Sequence, residues 1–203
     1  MGKIYYLLGK SSSGKDTIYK RLMEIKELKL FRIVTYTTRP IRTGEAEGRE
    51  YHFTDKETLD ALTAEQKVIE MRTYNTVLGD WYYFTADDGQ VDLRARNYAV
   101  IGTLESYLMV RNYYGKENVL PIYIEVDDGV RLLRAVKREM KQDPPHYTEV
   151  CRRFLADDAD FSEENLKNAG IKRRFRNDDL ETTLSDVVDY IRNGSGMNET
   201  LSV

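Results

Sequence analysis

Residues Gly9 to Thr17 read GKSSSGKDT, with Gly9, Gly14 and Lys15 in the spacing G-x-x-x-x-G-K. That pattern suits an anion. Glycines let the backbone curl so that successive N–H groups, those of Ser11, Ser12 and Ser13 among them, face one charge. A helix starting after the loop adds its positive N-terminal end. Lys15 supplies a point charge for terminal phosphates. Asp16 stands where such loops usually offer Mg²⁺ a hydroxyl. Two roles are open to it. It is a hard-oxygen ligand for Mg²⁺, directly or through water with the help of Thr17, or a first-turn acid that suits the helix dipole and points away from a nucleotide.

A second concentration of anion-binding side chains lies in TYTTRPIRTGEAEGREYHF, Thr35 to Phe53. Arg39 and Arg42 are close in sequence, Tyr51 follows, and Gly44 and Gly48 mark turns. Two guanidiniums and a phenol can hold one phosphate monoester through charge-assisted hydrogen bonds. A third concentration is basic: Arg131, Arg134 and Arg138 share one helical face, with Arg153 beyond the break Asp143-Pro144-Pro145.

The elements that must position these groups follow an α/β order. Lys3–Leu8 is predicted to be a strand and Asp16 to about Lys29 a helix. The stretch 31–85 changes to short strand-like pieces (Phe31–Tyr36, Tyr51–Thr54, Val68–Tyr74, Trp81–Thr85) with a short helix from Thr54 or Asp55 to about Leu62, the pattern of an inserted mixed-β lobe. Strands Tyr98–Leu104 and Leu120–Val126, with a helix over Glu105–Tyr114 between them, resume the α/β order. Val130–Lys141 reads as a helix, and a second runs on to about Asn168. Ile171–Arg176 is a last short strand and Leu180–Arg192 a closing helix. The tail from Asn193 has a disordered composition.

Together GKSSSGK, TTRPIRTGEAEGREYHF, VIEM, YYFT and NDDL resemble guanylate kinase, in the nucleoside-monophosphate-kinase branch of P-loop proteins, over most of residues 3–192. The fold so implied is α/β: a P-loop NTPase parallel-sheet core (1–34, 86–129 and 159–192), an inserted mixed-β monophosphate-binding lobe (35–85), a helical lid (130–158) and a disordered tail (193–203). The reaction implied is ATP-dependent phosphorylation of GMP to GDP. On this resemblance ATP lies on Gly9, Ser11, Ser12, Ser13, Gly14, Lys15, Asp16 and Thr17, with Asn177 near the adenine. Arg39, Arg42 and Tyr51 grip the GMP phosphate, and Tyr83 aligns with a GMP-contacting tyrosine. Glu70 reads the guanine N1–H and amino donors, and Thr35 and Thr85 replace base-contacting serines. Lys15 and the lid residues Arg134, Arg138 and Arg153 stabilise the transferring group. Mg²⁺ accompanies ATP, with Asp16 its candidate ligand.

The sequence also departs from the family. Where guanylate kinases end a strand with I-L-D-x-D, this chain reads YAVIGTLES, so Gly102, Thr103 and Leu104 replace the acids. Glu105 either substitutes for them or caps the next helix. Asp16 beside the loop and the acid lost from the strand end suggest a compensating pair. The acid-free strand end and the GKD loop also resemble ribose bisphosphate phosphokinases, which act on sugar phosphates. A non-catalytic guanylate-kinase-like binding module is a further alternative, although such modules tend to lose the loop glycines and lysine that this chain keeps.

Composition narrows the partners. The 203 residues are 41% hydrophobic and carry a net charge of −3, which favours neither nucleic acid nor an anionic membrane. The short apolar N-terminus reads as a strand, not a signal peptide. The single cysteine excludes an intrachain disulfide and fits a reducing cytoplasm. Cys151 is expected to pack against the lid or core, and His52 and His146 with one cysteine make no zinc cluster. Expected partners are ATP and GMP, in a monomer or small homo-oligomer.

Overall fold

The computed structural model describes residues 1–76 and 79–193. All of the expected disordered tail except Asn193 lies outside them. A five-stranded sheet forms the centre, in the order β2 (Leu30–Arg32), β7 (Asn97–Ile101), β1 (Ile4–Leu8), β8 (Val119–Glu125), β9 (Arg174–Arg176). Every pairing in it is parallel. Both faces are covered, which is why β1 reads as an unbroken apolar run. Alternation sends Ile4, Tyr6 and Leu8 into one core cluster and Tyr5 and Leu7 into the other. The first cluster packs under α3 (Leu104–Tyr114) and α6 (Glu163–Asn168). The second packs under α1 (Lys15–Glu24) and α7 (Leu180–Arg192).

A second sheet, β4 (His52–Phe53), β3 (Tyr36–Thr37), β6 (Gly79–Ala86), β5 (Val68–Thr76), carries the lobe. Its own small core joins Phe84 and Ala86 to Leu59 of α2 (Lys56–Ala64). Asp55 caps that helix by accepting from the Thr58 N–H. The segment expected to form a lid holds α4 (Asp128–Glu139) and α5 (Tyr147–Asp160).

Several expected boundaries change: the strand expected over Tyr98–Leu104 stops at Ile101, the one expected over Ile171–Arg176 begins at Arg174, and three further changes have a reason in the pairing or packing. The piece Phe31–Tyr36 is two strands in two sheets: β2 pairs with β7 of the core, and β3 pairs with β4 and β6 of the lobe. The first helix ends at Glu24, followed by a 3₁₀ turn over Lys26–Leu28. The helix expected to reach Asn168 breaks at Phe161, and Ser162 caps a new one. Phe161 is buried and stacks on Tyr123, so core packing overrides helix continuation there.

Candidate functional site

The glycine loop sits at the C-terminal end of β1, the central strand, where open parallel sheets leave a crevice. A Cβ at Gly9 would lie 2.4 Å from the Ile124 carbonyl oxygen. Gly14 has φ 89° and is the N-cap of α1. A Cβ there would lie 2.4 Å from the Asn177 side-chain nitrogen. That nitrogen donates to the Ser13 carbonyl at 2.7 Å, and Asn177 is 3% exposed. Asn177 thus braces the loop. The Ser12 and Ser13 hydroxyls are buried without a partner among the described residues, while Asp16 and Thr17 are exposed on the first turn of α1. Lys15 Nζ lies 4.0 Å from an Asp16 carboxylate oxygen. The Ser11 N–H donates to Asp157 of α5 at 2.7 Å.

In the lobe, β5 and β6 bring the expected residues onto one face. Glu70 pairs with Thr85, Arg72 with Tyr83 and Tyr74 with Trp81. A register shift between Val68 and Glu70 makes this possible. Val68 packs on the lobe core with Ala86, so without the bulge Glu70 would point the same way. Thr85 Oγ1 donates to Glu70 Oε1 at 2.7 Å. Burial raises the Glu70 carboxyl above its ordinary value, with neighbouring Arg72 opposing the shift. Thr35 stands at the lobe's edge, where its carbonyl accepts from the His52 N–H.

Arg39 is 3% exposed and its guanidinium is almost filled. It donates from Nε to Tyr83 Oη at 3.0 Å, to the Pro40 carbonyl at 2.9 Å, and through both terminal nitrogens to Glu45 at 2.7 and 2.6 Å. The Tyr51 ring lies 5.2 Å below it and makes an edge contact with Tyr83. Arg39, Tyr51 and Tyr83 are therefore one cluster, while Arg42 stays exposed at its rim. The hydrogen bonds from Arg39 hold the Glu45 carboxyl down to about 2, against an ordinary 4.5. A depressed carboxyl contributes stability above its unfolded pKa and loses it as pH falls toward the folded one. The stability gap between wild type and Glu45→Gln is therefore expected to close between about pH 4.5 and pH 2, as read by denaturant unfolding at stepped pH. A gap constant over that window would contradict the assigned ion pair.

The lid basics divide. Arg131 is 2% exposed and is not an open cation: it bonds Asp128 at 2.6 Å, Asp157 at 3.4 Å and Asp158, beneath the Phe154 ring. Lys10 joins the same acids, at 3.2 Å from Asp128 and 2.7 Å from Asp158. Arg134 is exposed and reaches the Asn177 carbonyl at 3.4 Å, beside the loop. Arg138 and Arg153 are exposed, Arg153 paired with Glu149 at 2.6 Å. A cleft of about 610 Å³ is lined by Ser11 of the loop, Arg42 of the lobe and Arg138 and Arg153 of the lid. Cys151 is exposed on α5, contrary to expectation, because the buried face of that helix is carried by Val150.

The strand end has a steric explanation. A Cβ at Gly102 would lie 2.0 Å from Tyr6 Oη, which donates to Ser106 Oγ at 2.9 Å. Leu104 is buried in the core, and Thr103 caps α3 in a capping box with Ser106. Glu105 is therefore not the cap. It is exposed, and close enough to Glu70 to push that carboxyl upward. Two residues carry little signal in the sequence. Arg72 is marked only by its β alternation with Glu70. Asp157 meets Ser11 across 146 positions, and no local pattern announces it.

A parallel sheet with a glycine loop at the end of its central strand, and a second, smaller mixed sheet beside it, define an α/β fold of the P-loop NTPase kind. Within that class the resemblance to guanylate kinase holds. Residues 1–86 match the family model described as guanylate kinase. A guanylate kinase of Neisseria gonorrhoeae is 39% identical over 100 residues, 49% of this chain and 46% of that protein. The matched stretch thus spans about half the length of that relative. A guanylate kinase of Mycoplasma mobile is 28% identical over 202 residues, covering 95% of this chain and 91% of the relative. The crystal structure of guanylate kinase from Anaplasma phagocytophilum superimposes with a TM-score of 0.61 at 22% identity, over 97% of this chain and 87% of that one. Among the described residues no helix is long and apolar enough to cross a membrane.

Proposed function

We propose that the chain transfers the γ-phosphoryl group of ATP to GMP, giving ADP and GDP. The observation that carries this is the shared cleft, where loop, lobe and lid each contribute a residue that can meet a phosphate. In this reading Lys15 and the amides at the start of α1 hold the donor's phosphates, since the Ser11 N–H is bonded to Asp157 and the Ser13 N–H to the Lys10 carbonyl, contrary to the expectation that both face the anion. Arg39, Tyr51 and Tyr83 orient the acceptor phosphate, with Arg42 at the rim. Arg134, Arg138 and Arg153 close on the transferring group and exclude water. The acceptor oxygen is anionic at neutral pH, so no general base is needed, and catalysis is positioning and charge stabilisation. Mg²⁺ takes few protein oxygens, and the exposed Asp16 carboxylate and Thr17 hydroxyl beside Lys15 suit that role. When bound, the ion neutralises charge on the donor phosphates.

A coupled assay with ATP, Mg²⁺ and GMP tests the reading. GDP formation supports it. GMP binding without turnover points to a binding module, and turnover only with a sugar phosphate points to the ribose bisphosphate phosphokinase alternative. Either result overturns the proposal.

A further inference from the structure

Arg72 stands in the middle of the cradle and has no part in the phosphoryl transfer itself. It is on β5, two residues from Glu70 on the same face and opposite Tyr83. Its Nε donates to Glu70 Oε2 at 3.3 Å. Its terminal nitrogens have no hydrogen-bond partner among the described residues, although the side chain is only 20% exposed. Tyr6, Tyr51 and Tyr74 are its other electrostatic neighbours. A guanidinium tethered at one nitrogen and open at the other two is a donor array that lacks acceptors.

The charge around it decides what those acceptors are. Glu70 offsets Arg72, and Glu105 acts on Glu70 from nearby. Two carboxylates against one guanidinium leave the corner net negative, which disfavours a second phosphate there. A neutral ring edge that sets an acceptor beside a donor fits better: the donor meets Glu70 and the acceptor meets Arg72. A 6-oxopurine has that edge, with N1–H next to the keto oxygen on C6.

We propose that Arg72 is a second base-reading residue, donating to the O6 of the acceptor purine while Glu70 accepts from N1–H. This role rests on the lobe being a GMP site. The Glu70–Arg72 pair then specifies a 6-oxopurine nucleoside monophosphate by one contiguous acceptor–donor edge. The amino group of guanine is not needed for the Arg72 contact, so IMP should feel the loss of Arg72 as strongly as GMP does.

The test is titration calorimetry of GMP, IMP and 6-thio-GMP with wild type, Arg72→Ala and Arg72→Lys. Sulfur is a weak acceptor and leaves N1–H in place. Wild type is expected to bind GMP about tenfold more tightly than 6-thio-GMP, the size of one hydrogen bond to a charged donor. Arg72→Ala should narrow that ratio to about twofold, with GMP and IMP weakened in parallel. Removing Arg72 leaves Glu70 without its cation and loosens the lobe, but a ratio taken within one protein cancels any inactive fraction. Arg72→Lys keeps the charge and loses the planar fork, and should narrow the ratio as well. An equal ratio in wild type and Arg72→Ala, with GMP still bound, overturns the role of Arg72 and leaves the GMP reading standing. No GMP binding by wild type overturns both.

Discussion

Lys15→Met is expected to lower kcat for ATP and GMP about a thousandfold, the upper end of what one preorganised transition-state donor supplies. Lys15 follows Gly14 at the start of α1, and among the described residues its only ion-pair contact is Asp16 at 4.0 Å. A contact that long between an ammonium and an exposed carboxylate contributes little to folding. The melting temperature should therefore stay within about a degree of wild type, which separates a catalytic loss from a folding loss. The pattern of kinetic constants matters as much as the size. A fall in kcat with KM nearly unchanged means that the ammonium acts on the transferring group. A rise in KM for ATP alone would reduce Lys15 to a ground-state anchor. Activity within tenfold of wild type would remove it from the chemistry.

The largest stability effect is expected at Arg131. Its guanidinium ties Asp128 of α4 to Asp157 and Asp158 of α5, and Asp157 in turn holds the Ser11 N–H of the loop. Arg131→Met would leave three carboxylates facing one another with Lys10 as the remaining cation. Breaking a buried ion pair from one side costs about 3–5 kcal/mol. The acids here are partly solvated, so the lower end of that range applies. In a chain of 203 residues that is a fall in melting temperature of about 10 °C. Arg131→Lys should recover part of it. Hydrogen exchange should rise first in α4 and α5, since the network seats the lid on the core. A loss under about 1 kcal/mol, or exchange spread evenly over the chain, would show that the lid is held by its apolar contacts alone.

Much was legible without tertiary information. The glycine spacing places a tight loop between a strand and a helix, and they are β1 and α1. The periodicity over Leu180–Arg192 matches α7 residue for residue, because an amphipathic helix records its buried face in local spacing. The aromatic and basic block from Thr35 to Phe53 is expected to hold an anion, and the structure brings its Arg39 and Tyr51 together with Tyr83 of β6. Tertiary contacts alone decided the rest. Whether Arg39 is open or paired depends on Glu45 folding back across the turn. The direction of Glu70 depends on a bulge that exists only in the pairing of β5 with β6. The bare strand end depends on Tyr6, 96 positions before Gly102, filling the space a side chain would need. Local spacing fixes which way a residue faces along its own element. What it meets there is set by packing between elements far apart in the chain, and that carries no periodic signature.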